Sequence, residues 1–177
     1  KIIMKKYLPE KKLPPYAFLP GYKPHPKADP QGHLYNLPEK KASKLNPYSP
    51  FECENYLYGI DLFNNGFYWE AHEEWEGVWN AHNKEGTQAD FLKALIKLCA
   101  AGVKLRVSHF DGAKTHSITA KKMFEEIKEY TNEDFYAGLD LNLLISFCLE
   151  IYNNPEKFKV DAKNNVEVIF DYFLDLN

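Results

Sequence analysis

Proline is confined almost entirely to the first part of the chain, and this constrains the fold more than any other feature. Ten of the 11 prolines lie within residues 1–50, and the last is Pro155. Each proline lacks a backbone donor and restrains its own conformation and that of the residue before it, so a long helix cannot form there. The same segment carries more large apolar side chains than a disordered tail would. We therefore expect residues 1–49 to form an ordered, extended arm that packs on the helical body of its own chain or of a partner subunit.

From Pro50 onward, apolar residues recur at the three- and four-residue spacing of helices. With the intervening turn signals, this pattern predicts five helices, over residues 50–63, 67–82, 88–107, 112–130 and 139–152. Ser49 and Pro50 are suited to begin the first helix as its cap and first-turn residue. Residues 166–174 predict a short strand or an extended strap. The predicted fold class is all-α, a compact bundle of about five helices in a domain of residues 50–177, with a Pro-rich arm and a C-terminal strap.

Composition excludes several classes of function. The net charge of -3 and the absence of a basic stripe argue against a nucleic-acid partner. No apolar stretch approaches the ~20 residues that a membrane helix requires, so no membrane partner is expected. Cys53, Cys99 and Cys148 are odd in number and widely spaced, which favours buried free thiols in a reducing compartment. The first residues lack the apolar core of a signal peptide. We expect a cytoplasmic location.

The most informative motif runs from Phe63 to Trp79 and reads FNNGFYWEAHEEWEGVW; it holds all three tryptophans. On a helical wheel, about half of its residues form an apolar core face. His72 and Glu76 lie at the rim of that face, one turn apart, where an imidazole and a carboxylate can share a proton or a metal ion. Trp69 and Trp79 flank this pair and would exclude water from it.

Three interpretations of this pair remain open. In the first, His72 and Glu76 serve packing, and the neighbouring glutamates solvate a helix face. In the second, His72, Glu73 and Glu76 bind a divalent metal, and a carboxylate-rich site suits iron or manganese better than structural zinc. The segment differs from a zinc helix of the His-Glu-x-x-His type because a glutamate replaces the second histidine. In the third, the pair is an acid–base site without metal.

Residues outside this helix add further candidates. His25 and His33 lie among Pro and Gly residues of the arm, and either could complete the site; the alternative is that both bond backbone carbonyls. Lys97 and Lys104 recur on one side of the third helix. That side is either a solvated face or, if Lys97 turns toward His72, part of a pocket for an anionic ligand.

The motif as a whole resembles the signature of the bacterial family called domain of unknown function 309. The resemblance continues through residues 91–104 into Gly112-Ala113 and covers roughly residues 55–130. It implies a small all-helical bundle and no established activity. The chain departs from the family pattern at Lys97 and Cys99 and in the turn at residues 109–111.

Two hypotheses of function follow. The first is a metal- or small-ligand-binding pocket on the EAHEEWE helix, walled by Trp69 and Trp79, and whether it is an enzyme stays open. The second is a non-catalytic structural or interaction protein that forms a homo-oligomer, with the motif serving packing. Support for self-association comes from the aromatic arm and from the small residues at 100–102, where another helix could approach closely.

Overall fold

A computed structural model describes residues 5–177; the first four residues of the predicted arm lie outside the described part of the chain. Five α-helices follow the arm, and they confirm the predicted all-α bundle. Their bounds are α1 Glu54–Asn64, α2 Tyr68–Ala81, α3 Thr87–Arg106, α4 Phe110–Thr131 and α5 Leu141–Asn153. Two short 3-10 helices, Pro50–Glu52 and Pro155–Phe158, and a two-stranded hairpin, β1 Phe135–Tyr136 and β2 Leu139–Asp140, complete the set.

Helix α3 lies at the centre, packed between α2 and α4, while α1 covers α2 and α5 covers α4. Close helix approach depends on glycine at two positions. A side chain at Gly59 of α1 would collide with the indole of Trp75, and one at Gly102 of α3 would lie 2.8 Å from Cγ of Tyr68. The small-residue patch of α3 therefore receives Tyr68 of the same chain.

The predicted first helix is divided in two. Pro50–Glu52 forms a 3-10 turn, and α1 begins only at Glu54. Ser49 occupies the predicted cap position of this 3-10 turn and Pro50 lies in its first turn, but the Ser49 side chain makes no capping bond. A proline ring sets its own backbone angle but is equally compatible with a tight 3-10 turn, which explains the difference.

The hairpin between α4 and α5 was not predicted. Its two-residue turn is Ala137-Gly138, and both residues have positive φ, 47° and 80°. A two-residue turn of this kind is usually recognised in a sequence by Asn-Gly or Asp-Gly, because most other side chains disfavour a positive φ. Asp140 of β2 then caps α5, accepting bonds from the backbone N–H of Asn142 and of Leu143.

The arm and the strap both pack on the helical body of their own chain. The Asp61 carboxylate, fully buried in α1, accepts bonds from the backbone N–H of Tyr7 and of Leu8 at 2.8 and 2.9 Å. The backbone N–H of Ala17 donates to the carbonyl of Asn165 at 2.9 Å, which joins the arm to the segment just before the strap. The strap is extended but pairs with no strand in the described part of the chain.

The three cysteines are buried free thiols, as predicted. Within residues 5–177, no helix has both the length and the apolar character needed to cross a bilayer.

Candidate functional site

Helix α2 presents the motif residues on two different surfaces. Ala71, Trp75 and Val78 are completely buried and pack into the core. Their positions turn His72, Glu73 and Glu76 to the edge of that buried face, where all three are partly exposed. The apolar periodicity of the helix therefore determines where these polar side chains lie.

These three side chains form one cluster. The two imidazole nitrogens of His72 face different carboxylates: Nδ1 lies 3.8 Å from Oε1 of Glu73, and Nε2 lies 3.5 Å from Oε2 of Glu76. One ligand atom from each residue can be chosen so that all lie within 4.8 Å of one another. Within residues 5–177, no other three His, Cys, Asp or Glu side chains lie close enough together to hold one metal ion.

The cluster can coordinate an ion after a small rearrangement. Ligand atoms bound at about 2.1 Å to one ion lie roughly 3.5 Å apart, so the carboxylates must move inward by about 1 Å. An ion bound to one imidazole nitrogen would require the carboxylate on the other side of the ring to swing toward it. Partly exposed glutamate side chains have the rotamer freedom for this movement.

The arm supplies a cation to the same cluster. Nζ of Lys27 lies 2.8 Å from Oε2 of Glu73 and 3.0 Å from Oε1 of Glu39. Burial lowers the pKa of Lys27, but these two carboxylates outweigh it and the pKa is raised. An ammonium group therefore already partly neutralises the oxygen of Glu73 that points away from His72.

The two arm histidines are not part of this cluster. Nδ1 of His25 accepts the backbone N–H groups of Lys27 and Ala28 at 3.2 Å, and its ring packs edge-on against Trp69 at 5.3 Å. His33 packs edge-on against Tyr16 at 5.1 Å, and burial lowers its pKa. His25 shapes the loop that carries Lys27, so the arm approaches the cluster through a lysine.

The residues predicted to wall the pocket, Trp69 and Trp79, and the two predicted lysines do not gather around the cluster. Trp69 is covered by the arm residue Phe18, with ring centroids 4.9 Å apart, while Nζ of Lys84 lies 4.8 Å from the ring of Trp79. Lys97 and Lys104 make no hydrogen bond or ion pair with the cluster in the part of the chain that the structure describes. Their positive charges, after burial, instead lower the pKa of His116 on α4.

Glu70 was not predicted as a site residue, because the wheel places it outside the core face and therefore in solvent. Only 5% of Glu70 is exposed, because the arm covers that side of α2. Oε1 accepts the backbone N–H of Phe18 at 2.7 Å, and Oε2 has no hydrogen-bond partner among the described residues. Burial, with a smaller contribution from the charge of Glu73, raises the pKa of Glu70 to about 7. The one sequence signal was the aromatic content of the arm, which requires an apolar surface to cover.

Arg106, at the end of α3, is the second buried charged residue near this side of α2. Its Nη2 donates to the carbonyl of Asn164 in the segment before the strap at 3.0 Å, while Nε and Nη1 have no partner in residues 5–177. The positive charge of Arg106 partly offsets the effect of burial on Glu70. Glu70 and Arg106 thus place two ionisable groups beneath the arm and the strap.

Comparison with known proteins agrees with the resemblance that the motif carries. Residues 56–116 match the model of the family described as Domain of unknown function (DUF309). No curated protein matches the chain. The matched segment contains all of α2 and α3, and hence His72, Glu73 and Glu76. The chain is therefore similar to the DUF309 family over residues 56–116, and the description of that family names no activity.

Proposed function

We propose that the protein binds one divalent transition-metal ion at His72, Glu73 and Glu76 on the exposed edge of α2. The observation that carries this proposal is the mutual approach of one ligand atom from each residue to within 4.8 Å. Three protein ligands leave further coordination positions of the ion open to water or a substrate atom.

The ligand chemistry favours iron or manganese. Carboxylate oxygens suit manganese, imidazole suits iron and zinc, and a site with two carboxylates and one imidazole combines both preferences. Zinc is the third candidate because it accepts the same ligand types in a smaller coordination number. Trp69 and Trp79 belong to the same helix but are held by the arm and by Lys84 respectively, so the proposed ion is bound by polar side chains alone.

Lys27 acts as a competitor of the metal in this proposal. Its ammonium group binds the outer oxygen of Glu73, so metal binding must either displace it or share the carboxylate with it. Replacing Lys27 by methionine removes the competing charge while keeping a side chain of similar length. We expect Lys27→Met to bind metal at least as tightly as the unaltered protein.

Metal binding can be measured on protein purified without a histidine tag and stripped with a chelator. Titration with Mn²⁺, anaerobic Fe²⁺ and Zn²⁺ in separate calorimetry experiments should give one ion per chain for at least one metal. His72→Ala should weaken the affinity by at least about 100-fold, because even residues that only orient metal ligands contribute 10–100-fold. Glu76→Gln should weaken it in the same direction.

Glu125→Gln is the matched control. Glu125 also lies on a helix and pairs with a lysine, Lys121, but contributes to no metal-ligand group in residues 5–177. It should bind metal as the unaltered protein does. The proposal fails if none of the three ions binds, or if His72→Ala and Glu125→Gln bind equally well. A fall in thermal stability of His72→Ala with unchanged metal content would favour the packing interpretation instead.

The second candidate function is that of a non-catalytic protein that self-associates. The aromatic side chains left exposed at Tyr48, Tyr130 and Phe135 favour an interaction role of some kind. The small residues of α3 no longer support self-association, since Tyr68 of the same chain fills the space at Gly102. Sedimentation velocity over a wide range of protein concentration tests this candidate, and a concentration-independent monomer would exclude it.

A further inference from the structure

Two adjoining hollows lie away from the metal cluster, and both are lined by Tyr130 near the end of α4. The larger measures about 590 Å³ and the smaller about 390 Å³. The larger hollow lies where the end of the arm, the end of α4 and the hairpin meet. The smaller hollow lies between the start of α3 and the last turns of α4. We call the two together the aromatic groove. Its residues are Pro47, Tyr48, Gly86, Thr87, Asp90, Met123, Glu126, Ile127, Tyr130, Thr131, Glu133, Phe135, Tyr136, Ala137, Gly138 and Asn177.

Large rings in the aromatic groove are exposed to an unusual degree. Tyr48 is 94% exposed, Tyr130 80% and Phe135 47%. Clustered exposed rings of this size are typical of interaction sites, because a monomer gains nothing from leaving them in water. Tyrosine is also among the residues that most often dominate binding energy at protein interfaces.

The floor of the groove is held in a fixed shape. The hydroxyl of Tyr56 donates to the carbonyl of Ala137 at 2.9 Å. The backbone N–H of Asn177 donates to the carbonyl of Gly138 at 3.0 Å. Ala137 is thereby tied to helix α1 and Gly138 to Asn177, which follows the strap. A partner would meet a preformed surface and would not have to order it.

The charges along the groove have one sign. Asp90 and Glu126 line the smaller hollow and Glu133 the larger, whereas no lysine, arginine or histidine lines either. None of these three carboxylates forms an ion pair with a residue in the described range 5–177. The chain has 22 lysines and arginines, so their absence from the groove is a local property. The faces of the aromatic rings add a further attraction for cations.

We propose that the aromatic groove binds a basic segment of a partner protein. Arginine side chains of that segment stack on the faces of Tyr130 and Phe135 and direct their guanidinium groups toward Glu126 and Glu133. Arginine fits better than lysine because its planar group stacks on rings and bonds carboxylates at the same time. The groove is open to solvent, and small ligands prefer concave sites that bury most of their surface, so a protein segment is the matching occupant.

The test uses defined peptides and the whole protein. A fluorescein-labelled hexapeptide of alternating arginine and leucine is titrated and followed by fluorescence anisotropy, beside a peptide with citrulline in place of arginine. Citrulline keeps the shape of the side chain and removes its charge. The arginine peptide should bind about tenfold more tightly, because several guanidinium–carboxylate pairs and contacts of cations with ring faces, each worth up to about 1 kcal/mol at an exposed site, add together. Backbone NMR signals of residues 130–138 should shift on binding.

Two variants and a control decide whether the groove is the site. Tyr130→Ala and Glu133→Gln should each weaken binding of the arginine peptide several-fold. Tyr22→Ala, which removes a half-exposed tyrosine of the arm that does not line the groove, should leave binding unchanged. Because Tyr130 and Glu133 are both exposed, these variants should fold normally, as unfolding curves will verify.

Three results of the peptide experiments would overturn the proposal. They are equal affinity for the arginine and citrulline peptides, equal loss of binding in Tyr22→Ala and Tyr130→Ala, and shifts confined to residues outside the groove. A dimer in sedimentation experiments that Tyr130→Ala dissociates would assign the groove to a second copy of the chain and also overturn it. None of these outcomes depends on metal binding, so the two proposals stand or fall separately.

Discussion

Replacement of Glu70 by glutamine should change how the stability of the protein depends on pH. The Glu70 carboxyl is buried beneath the arm, and its pKa is raised to about 7, first by burial and then by the charge of Glu73. An unfolded glutamate titrates near 4.5. The folded state therefore binds a proton more tightly than the unfolded state does. Its stabilising effect is fully present below about pH 4.5 and is lost as the pH rises through about 7.

The size of the effect follows from the two pKa values. The difference between about 7 and 4.5, at about 1.4 kcal/mol for each pH unit, corresponds to on the order of 3 kcal/mol of unfolding free energy. In Glu70→Gln the amide oxygen can still accept the backbone N–H of Phe18, but the side chain cannot ionise. The variant should thus gain stability relative to the unaltered protein as the pH rises from about 5 to about 8.

The assay is urea unfolding of both proteins at several pH values, compared as the difference between them. The difference cancels the contributions of other groups, such as His33 and His116, whose pKa is lowered by burial. Glu74→Gln, on the same helix, is the matched control and should keep the pH dependence of the unaltered protein because Glu70 remains in place. A constant difference between Glu70→Gln and the unaltered protein over this range would refute the assignment of a raised pKa to Glu70.

Two further predictions concern the packing of the helices and the arm. Gly59→Ala should lower the unfolding free energy by about 1–3 kcal/mol, measured in urea, because the added methyl group collides with the indole of Trp75; an unchanged midpoint would mean that α1 and α2 are not in close contact there. Asp61→Ala should lower it by about 2–3 kcal/mol, because the backbone N–H groups of Tyr7 and Leu8 lose their acceptor. Limited proteolysis should then cut the arm faster in Asp61→Ala than in Gly59→Ala, and equal cutting rates would contradict the role of Asp61 in holding the arm.

Helix positions could be predicted because amphipathic periodicity is a local property of the chain. The five predicted helices differ from the observed ones by only a few residues, apart from the 3-10 turn at Pro50–Glu52. The hairpin escaped prediction because its turn uses Ala137 at a positive φ that alanine rarely adopts. Contacts of Tyr56 and Leu176 with the turn hold this conformation, and no local pattern reveals them.

The residues of the candidate site also fall into those that the sequence could place and those that it could not. His72, Glu73 and Glu76 could be grouped from the sequence because helix geometry brings positions one turn apart onto the same side. Lys97 and Lys104 could not be placed, because the wheel of α3 does not say which neighbouring helix each side meets. Their charges act on His116 of α4.

By itself, the sequence determined the helical body, the extended arm and the row of polar groups along the edge of α2, since each follows from backbone preference or periodicity within a single segment. Only the tertiary structure decided which surfaces the arm covers. Through that choice it buried Glu70, brought Lys27 to Glu73 and left Tyr130 in an open groove. These outcomes depend on contacts between residues far apart in the chain, and the burial and charge that set their chemistry exist only once those contacts form.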